Sequence, residues 1–167
     1  MSSGSVYGPR GHDAMFADSV RTPAYLEAIG RVVREGDVVV EVGTGVGYFA
    51  VAACRAGARR VYAIEREPAV ALAERLAEQN GCSDRIVCIR GDSRRIELPE
   101  RGTVLVSDLR GTLPLFGDAI PTLVDARDRL LVPGARLIPL RDVIVAAPCT
   151  APAYWAKVEL ALGDVAS

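Results

Sequence analysis

A run of β-branched residues, Val38-Val39-Val40-Glu41-Val42, feeds directly into three glycines at alternate positions, Gly43, Gly45 and Gly47, and then into helix-like sequence. No other stretch limits the fold as strongly. A near-continuous apolar strand marks a parallel strand covered on both faces, and glycines at its end let the backbone turn sharply and lie close to a ligand. A second apolar run, Val61-Tyr62-Ala63-Ile64, follows and ends in Glu65. Strand, tight turn, helix, strand is a βαβ unit, and an acid at the tip of its second strand is placed to hydrogen-bond a ribose diol.

The same alternation continues along the chain. Residues 1–10 read as a flexible N-terminus, and Gly11 to Glu35 as a helix in which Leu26, Ile29 and Val33 recur at helical spacing. Pro23 is tolerated in its first turn after Thr22 as cap, and Gly36 ends it. Strands are predicted at Val38–Val42, Val61–Ile64, Ile86–Ile89, Val104–Val106 and Ala135–Leu140, with helices at Tyr48–Ala56, Ala69–Gln79 and Ala119–Leu131 and a break at Pro133-Gly134. Strands alternating with helices predict an α/β fold, a mostly parallel sheet with helices on both faces and its ligand crevice beyond the strands' carboxyl ends. Glu41, Glu65, Asp92 and Asp108 all fall at or just past those ends. Residues 11–140 thus read as one ligand-binding domain, and 141–167 as the start of an incomplete β-rich region, with Val143-Ile144-Val145-Ala146 strand-like and Tyr154 to Leu162 able to continue it.

Two cofactor classes use such a loop. The dinucleotide fingerprint spaces its glycines G-x-G-x-x-G, whereas here the third comes one residue early, and Glu41 stands where a diphosphate would approach. S-adenosylmethionine carries an ammonium, a sulfonium and a ribose diol with a carboxylate as its only anion, so acidic strand ends suit it better. A purely structural tight turn is the plain alternative. With 167 residues and a net charge of −1, the chain is one domain's worth and lacks the basic excess that nucleic acid demands of a partner. Paired arginines such as Arg59-Arg60 read as solvated faces. The apolar runs fall short of the roughly 18 residues of a membrane span. Four cysteines without C-x-x-C pairing read as structural thiols of a soluble, cytoplasmic protein.

Three separated motifs then carry a family resemblance over roughly Tyr7 to Pro148. His12-Asp13-Ala14-Met15-Phe16-Ala17-Asp18-Ser19-Val20-Arg21-Thr22 resembles the H-x-x-M-L-x-D-x-x-R-T helix of the protein arginine methyltransferases, a branch of the class I methyltransferases with their Rossmann-like fold. Ala126-Arg127-Asp128-Arg129-Leu130-Leu131 and Pro133-Gly134-Ala135-Arg136-Leu137-Ile138-Pro139 resemble that branch's A-R-D-x-x-L and P-x-G-x-L-x-P stretches. The resemblance implies S-adenosylmethionine as cofactor. It implies that Arg21 clamps the methionine carboxylate with His12 packed near the cofactor, and that Glu41 and Gly43 lie against the methionine moiety. Gly45 and Gly47 would shape the turn, Glu65 would accept the ribose hydroxyls, and Asp92 and Ser93 would meet the adenine edge.

The pattern also breaks. The arginine enzymes carry S-E-x-M-G after the fourth strand and a second glutamate nine residues after the first, and two carboxylates fix a guanidinium's plane. This chain reads Ser107-Asp108-Leu109-Arg110-Gly111, and the second acid's position is Gly117. Asp118 is adjacent, but one helical position turns a side chain by about 100°. Arg110 adds a cation able to repel a guanidinium, pair with Asp108 or draw an anionic group. The family acid two positions beyond Asp92 is Arg94 here.

The expected activity is therefore methyl transfer to a nitrogen or oxygen of a protein or small-molecule acceptor, with Asp108 the candidate catalytic residue that orients the acceptor or takes its proton. A turn or cap role is its structural alternative. Two other readings stay open: an NAD(P)-dependent oxidoreductase, and a non-catalytic cofactor-binding scaffold completed by a partner, as a homo-oligomer or through a missing C-terminal domain.

Overall fold

Strand β1 (Val38–Val42) is buried at every position, in the middle of a five-stranded sheet. The structure, a computed structural model, describes residues 17–110 and 117–152. With β2 (Arg60–Glu65), β3 (Ile86–Arg90), β4 (Gly102–Ser107) and β5 (Leu131–Ile138), the sheet runs β3-β2-β1-β4-β5, and every pairing is parallel. Val39 stands opposite Val61 on one side and Val104 on the other.

Side-chain alternation divides the core between the two faces. Val39, Ala63 and Val106 pack under α1 (Arg21–Val32), α2 (Tyr48–Arg55) and α3 (Val70–Gln79), through Ile29, Phe49 and Ala77. Val40, Ile64 and Leu105 pack on the other face against α4 (Ala119–Asp125) and its continuation, a single π turn over Ala126–Leu130. Each fully buried Val or Leu contributes roughly 1.5–3 kcal/mol relative to exposure, so the strand core alone commits the chain to this sandwich.

At the amino-terminal edge of the sheet, Asp37 ties several elements together. Its carboxylate accepts from the Arg34 amide at 2.6 Å and the Thr103 hydroxyl at 2.8 Å and pairs with Arg136, which also donates to the Val32 carbonyl at 2.5 Å.

Local departures from the sequence expectation have physical causes. The first helix occupies 21–32 of the expected 11–35; residues 11–16, His12 and Met15 among them, lie outside the described residues. Its N-cap position is Val20, and Asp18 just ahead of it satisfies the entering amides, its Oδ1 accepting from Val20 and Arg21 at 2.9 and 2.8 Å. Thr22 is instead buried inside the first turn, because the amide of Ala24 is already bonded to Val20. Pro133-Gly134 does not break the chain but lies within β5. A register irregularity, with Gly102 opposite Leu131 and Val104 opposite Arg136, absorbs the pair where no ladder donor is needed. Val143 to Ala146 form no strand, since a strand exists only with a neighbour and none pairs with them among the described residues. Tyr154 to Leu162 lie outside the described residues. No helix among the described residues is long and apolar enough to cross a membrane.

Candidate cofactor and acceptor site

The chain leaves β1 toward β2 and later crosses to β4, so a crevice opens at the carboxyl ends where the strand order reverses. A cavity of about 340 Å³ lies there, within the range of small-molecule sites. Arg21, Glu41, Gly43, Gly45, Glu65, Asp92, Ser93 and Asp108 all border it.

The glycine loop is pinned to the tip of β2. The amides of Gly43 and Thr44 donate to the Ile64 carbonyl at 2.9 and 3.0 Å, and that of Gly45 donates to Glu65 Oε2 at 2.8 Å. Glu65 Oε1 accepts from the Glu67 amide at 2.9 Å. Each carboxylate oxygen of Glu65 thus holds one backbone donor and keeps a lone pair for a ligand hydroxyl. Gly43, at φ +79°, lets this loop close on the loop after β4, because a Cβ there would stand 2.5 Å from Leu109 Cδ2. Gly47 faces Ala73 of α3 and acts in helix contact rather than as cavity wall.

Glu41 corrects the sequence argument. It is buried, and its Oε2 accepts from the Thr44 hydroxyl at 2.6 Å. Burial, with a smaller push from the nearby Glu65 charge, raises its carboxyl to about 8 against the bonds from Thr44 and Ala50. At pH 7 it is mostly protonated, so it does not supply the charge repulsion toward a diphosphate that its identity suggested. Asp92 is the contrasting case. The backbone and side chain of Arg94 hold its carboxyl below the usual range, so it keeps its charge.

At the other end of the cavity, the Arg21 guanidinium pairs with Asp108. The Tyr25 hydroxyl lies 3.1 Å from the Ser107 carbonyl and 3.3 Å from Asp108 Oδ1. Its ring stacks on Phe49, a cavity residue, at 4.7 Å and 17°. Burial pushes the Tyr25 phenol up to about 12, so it stays protonated. Ser107 Oγ is buried beside Asp108 with no hydrogen-bond partner among the described residues.

Arg94, in a 3-10 turn over Ser93–Arg95, lines the same cavity and reaches Asp92 at 3.4 Å and Asp118 at 3.5 Å. Arg129 of the π turn holds this turn in place, donating at 2.5 Å to the carbonyls of both Ser93 and Ile96. Asp118, set aside on helical geometry, borders the cavity after all, because it precedes α4 rather than lying within it. An acid directly before an apolar helical run was the available signal. Phe49 and Thr44 also line the cavity, and nothing in an apolar helix marks Phe49. Arg110 neither pairs with Asp108 nor faces the cavity openly: its Nε donates to Asp142 at 2.6 Å. His12 lies outside the described residues.

Residues 12–123 match the sequence model of the family described as the TRM5/TYW2 methyltransferase domain. A probable protein arginine N-methyltransferase 6 from Arabidopsis thaliana is 34% identical over 143 residues, covering 84% of this chain and 33% of that protein. The solved structure of Arabidopsis thaliana protein arginine methyltransferase 10 superposes with a TM-score of 0.72 at 33% identity, covering 75% of this chain and 37% of the other. That of the Trypanosoma brucei PRMT1 enzyme-prozyme heterotetrameric complex with AdoHcy gives 0.73 at 30%, covering 75% and 40%. The chain therefore spans about a third of the length of the first of these relatives.

Proposed function

Because this chain belongs to the methyltransferases, within the family described as the TRM5/TYW2 methyltransferase domain, we propose that its cavity binds S-adenosylmethionine and transfers a methyl group to a nitrogen of a protein or small-molecule acceptor. The observation that carries this reading is the donor set of one cavity: a cation, Arg21, at one end and a pre-oriented acid, Glu65, at the other, joined by a glycine loop whose Gly43 has a φ of +79°. The fit is chemical. Arg21 offers a planar fork for a carboxylate, Glu65 has lone pairs for a diol, and Ser93 with Asp92 rims the far wall. The bound cofactor supplies a methyl group already activated on a sulfonium.

The protein's share is alignment and water exclusion. Asp108 is the group that accepts a hydrogen bond from the acceptor, turns its lone pair toward the methyl and takes its proton. Asp108 and Asp118 both border the cavity and favour a cationic or amine acceptor able to replace their partners Arg21 and Arg94, and the Arg110–Asp142 pair removes the cation that would have drawn an anion. Likeness to arginine methyltransferases supports a protein acceptor. Residues 11–140 form the cofactor-binding domain in this reading and 141–167 open a β-rich region. Assembly with a second subunit is supported by the heterotetrameric relative, and a cytoplasmic location by the free thiols Cys54, Cys82, Cys88 and Cys149. The oxidoreductase alternative falls with the family assignment.

Titration calorimetry with S-adenosylmethionine tests the cofactor, and absence of heat at millimolar ligand overturns the assignment. Arg21→Ala is expected to weaken binding by about 30- to 100-fold, the worth of a charge-assisted carboxylate pair of roughly 2–2.7 kcal/mol. Asp108→Asn separates chemistry from binding. Cofactor affinity is expected to hold or tighten, since Arg21 loses a competing carboxylate, while transfer of labelled methyl to protein or metabolite pools drops by about 100-fold. Equal loss of binding and turnover would assign Asp108 to the cofactor instead.

A further inference from the structure

The loop after β4 is fastened from an unexpected direction. Arg110 extends from it beneath α1, with a side chain only 15% exposed. Its Nε donates to Asp142 Oδ2 at 2.6 Å, and its Nη1 donates to the Tyr25 hydroxyl at 3.1 Å and to the Ser107 carbonyl at 3.4 Å. A guanidinium has donors only, so the Tyr25 oxygen must accept from Arg110, and its single proton is left for Ser107 O or Asp108 Oδ1. Tyr25 lies one helical turn beyond Arg21, on the same face of α1. Arg21 therefore holds Asp108 at Oδ2, while the one Tyr25 proton has Asp108 Oδ1 and the Ser107 carbonyl both within reach. Stacking on Phe49 fixes the Tyr25 ring, so rotation of its hydroxyl is the remaining freedom, and Arg110 removes it.

We propose that Arg110 is a positioning residue, clamped by Asp142 of the segment after β5, that commits the Tyr25 hydroxyl to the Asp108 end of β4 and so sets the carboxylate facing the acceptor. The role of Asp108 in this inference rests on the methyl-transfer reading; the relay from Asp142 to Tyr25 does not. The segment carrying Asp142 has no regular structure among the described residues, and this clamp is a polar tie from it to the site. Arg110, which the sequence left able to repel a guanidinium, pair with Asp108 or draw an anionic group, acts through Tyr25 instead.

The test uses the full chain with ring-¹³C tyrosine, the Tyr25 signal among the five tyrosines being assigned with Tyr25→Phe. Arg110→Met and Asp142→Asn are expected to shift the same Tyr25 resonance, with the double variant no further displaced than Arg110→Met alone. Methyl-transfer kcat is expected to fall by about 10-fold in Arg110→Met with cofactor affinity within about 2-fold, and Arg110→Lys to restore part of it. A Tyr25 resonance unmoved by Asp142→Asn, or effects of the two variants that simply add, overturns the relay. Failure of the functional reading looks different: Tyr25 responds to both substitutions while the parent chain transfers no methyl group, in which case Arg110 positions Tyr25 but serves no such reaction.

Discussion

Replacing Glu41 with glutamine is expected to flatten the pH dependence of folding stability between about pH 4.5 and 8. The carboxyl ionises near 4.5 when exposed and is raised to about 8 by burial in the folded protein. Between those values the native state holds a proton that the unfolded chain has lost, so the contribution is complete below about 4.5 and is lost as pH rises through 8. At about 1.4 kcal/mol per pKa unit, this is on the order of 3–5 kcal/mol. Glutamine keeps an acceptor for the Thr44 hydroxyl but has no charge to bury. Urea unfolding of parent and Glu41→Gln should agree near pH 5 and diverge by pH 8, the variant being the more stable; parallel curves would sink the idea. A bound sulfonium favours the ionised carboxylate, so cofactor affinity should rise from pH 6 to 8 in the parent and stay level in the variant.

Gly47→Ala is expected to destabilise the protein by about 3–4 kcal/mol, summing a left-handed backbone penalty and overpacking. Gly47 has φ +83°, and a Cβ there would meet Ala73 Cβ at 2.7 Å and Ala73 Cα at 2.9 Å. Neither is the end of a flexible chain, so relief requires moving α3 away from α2. Gly134→Ala is the control. Its φ is +79°, but nothing lies within 4 Å of the new methyl, and a loss of only about 1 kcal/mol is expected. Chemical denaturation of the pair separates steric cost from backbone cost, and equal losses would show that the α2–α3 contact yields easily.

Parallel-sheet physics made the fold legible. Val38 to Val42 could be little other than a central strand, and the acids at successive strand ends were bound to share an edge. What the chain's letters hid was environment. Glu41 reads as a charge, yet burial beneath the glycine loop neutralises it. Arg110 reads as an intruder in a substrate loop, yet Asp142, 32 positions later, takes it out of the cavity. Asp118 was dismissed by helical geometry that begins only one residue later. Pro133-Gly134 reads as punctuation, and only a register irregularity against β4 explains its place inside a strand. The Arg110 and Pro133-Gly134 misses depend on partners distant in sequence, which local pattern does not record.

The ties around Asp37 give the molecule a division of labour along its strands. Arg136, Thr103 and the Arg34 amide fasten four elements at the amino-terminal edge, while Glu65, Asp108 and the glycine loop occupy the carboxyl edge. Five or six residues of strand separate them by roughly 16–20 Å, beyond the about 10 Å at which substitutions stop influencing one another. Robustness and chemistry can therefore drift independently. Reinforcing the Asp37 end, for instance by adding further contacts to Arg136, would create a reserve against which costly changes of acceptor preference at the other end could be tolerated.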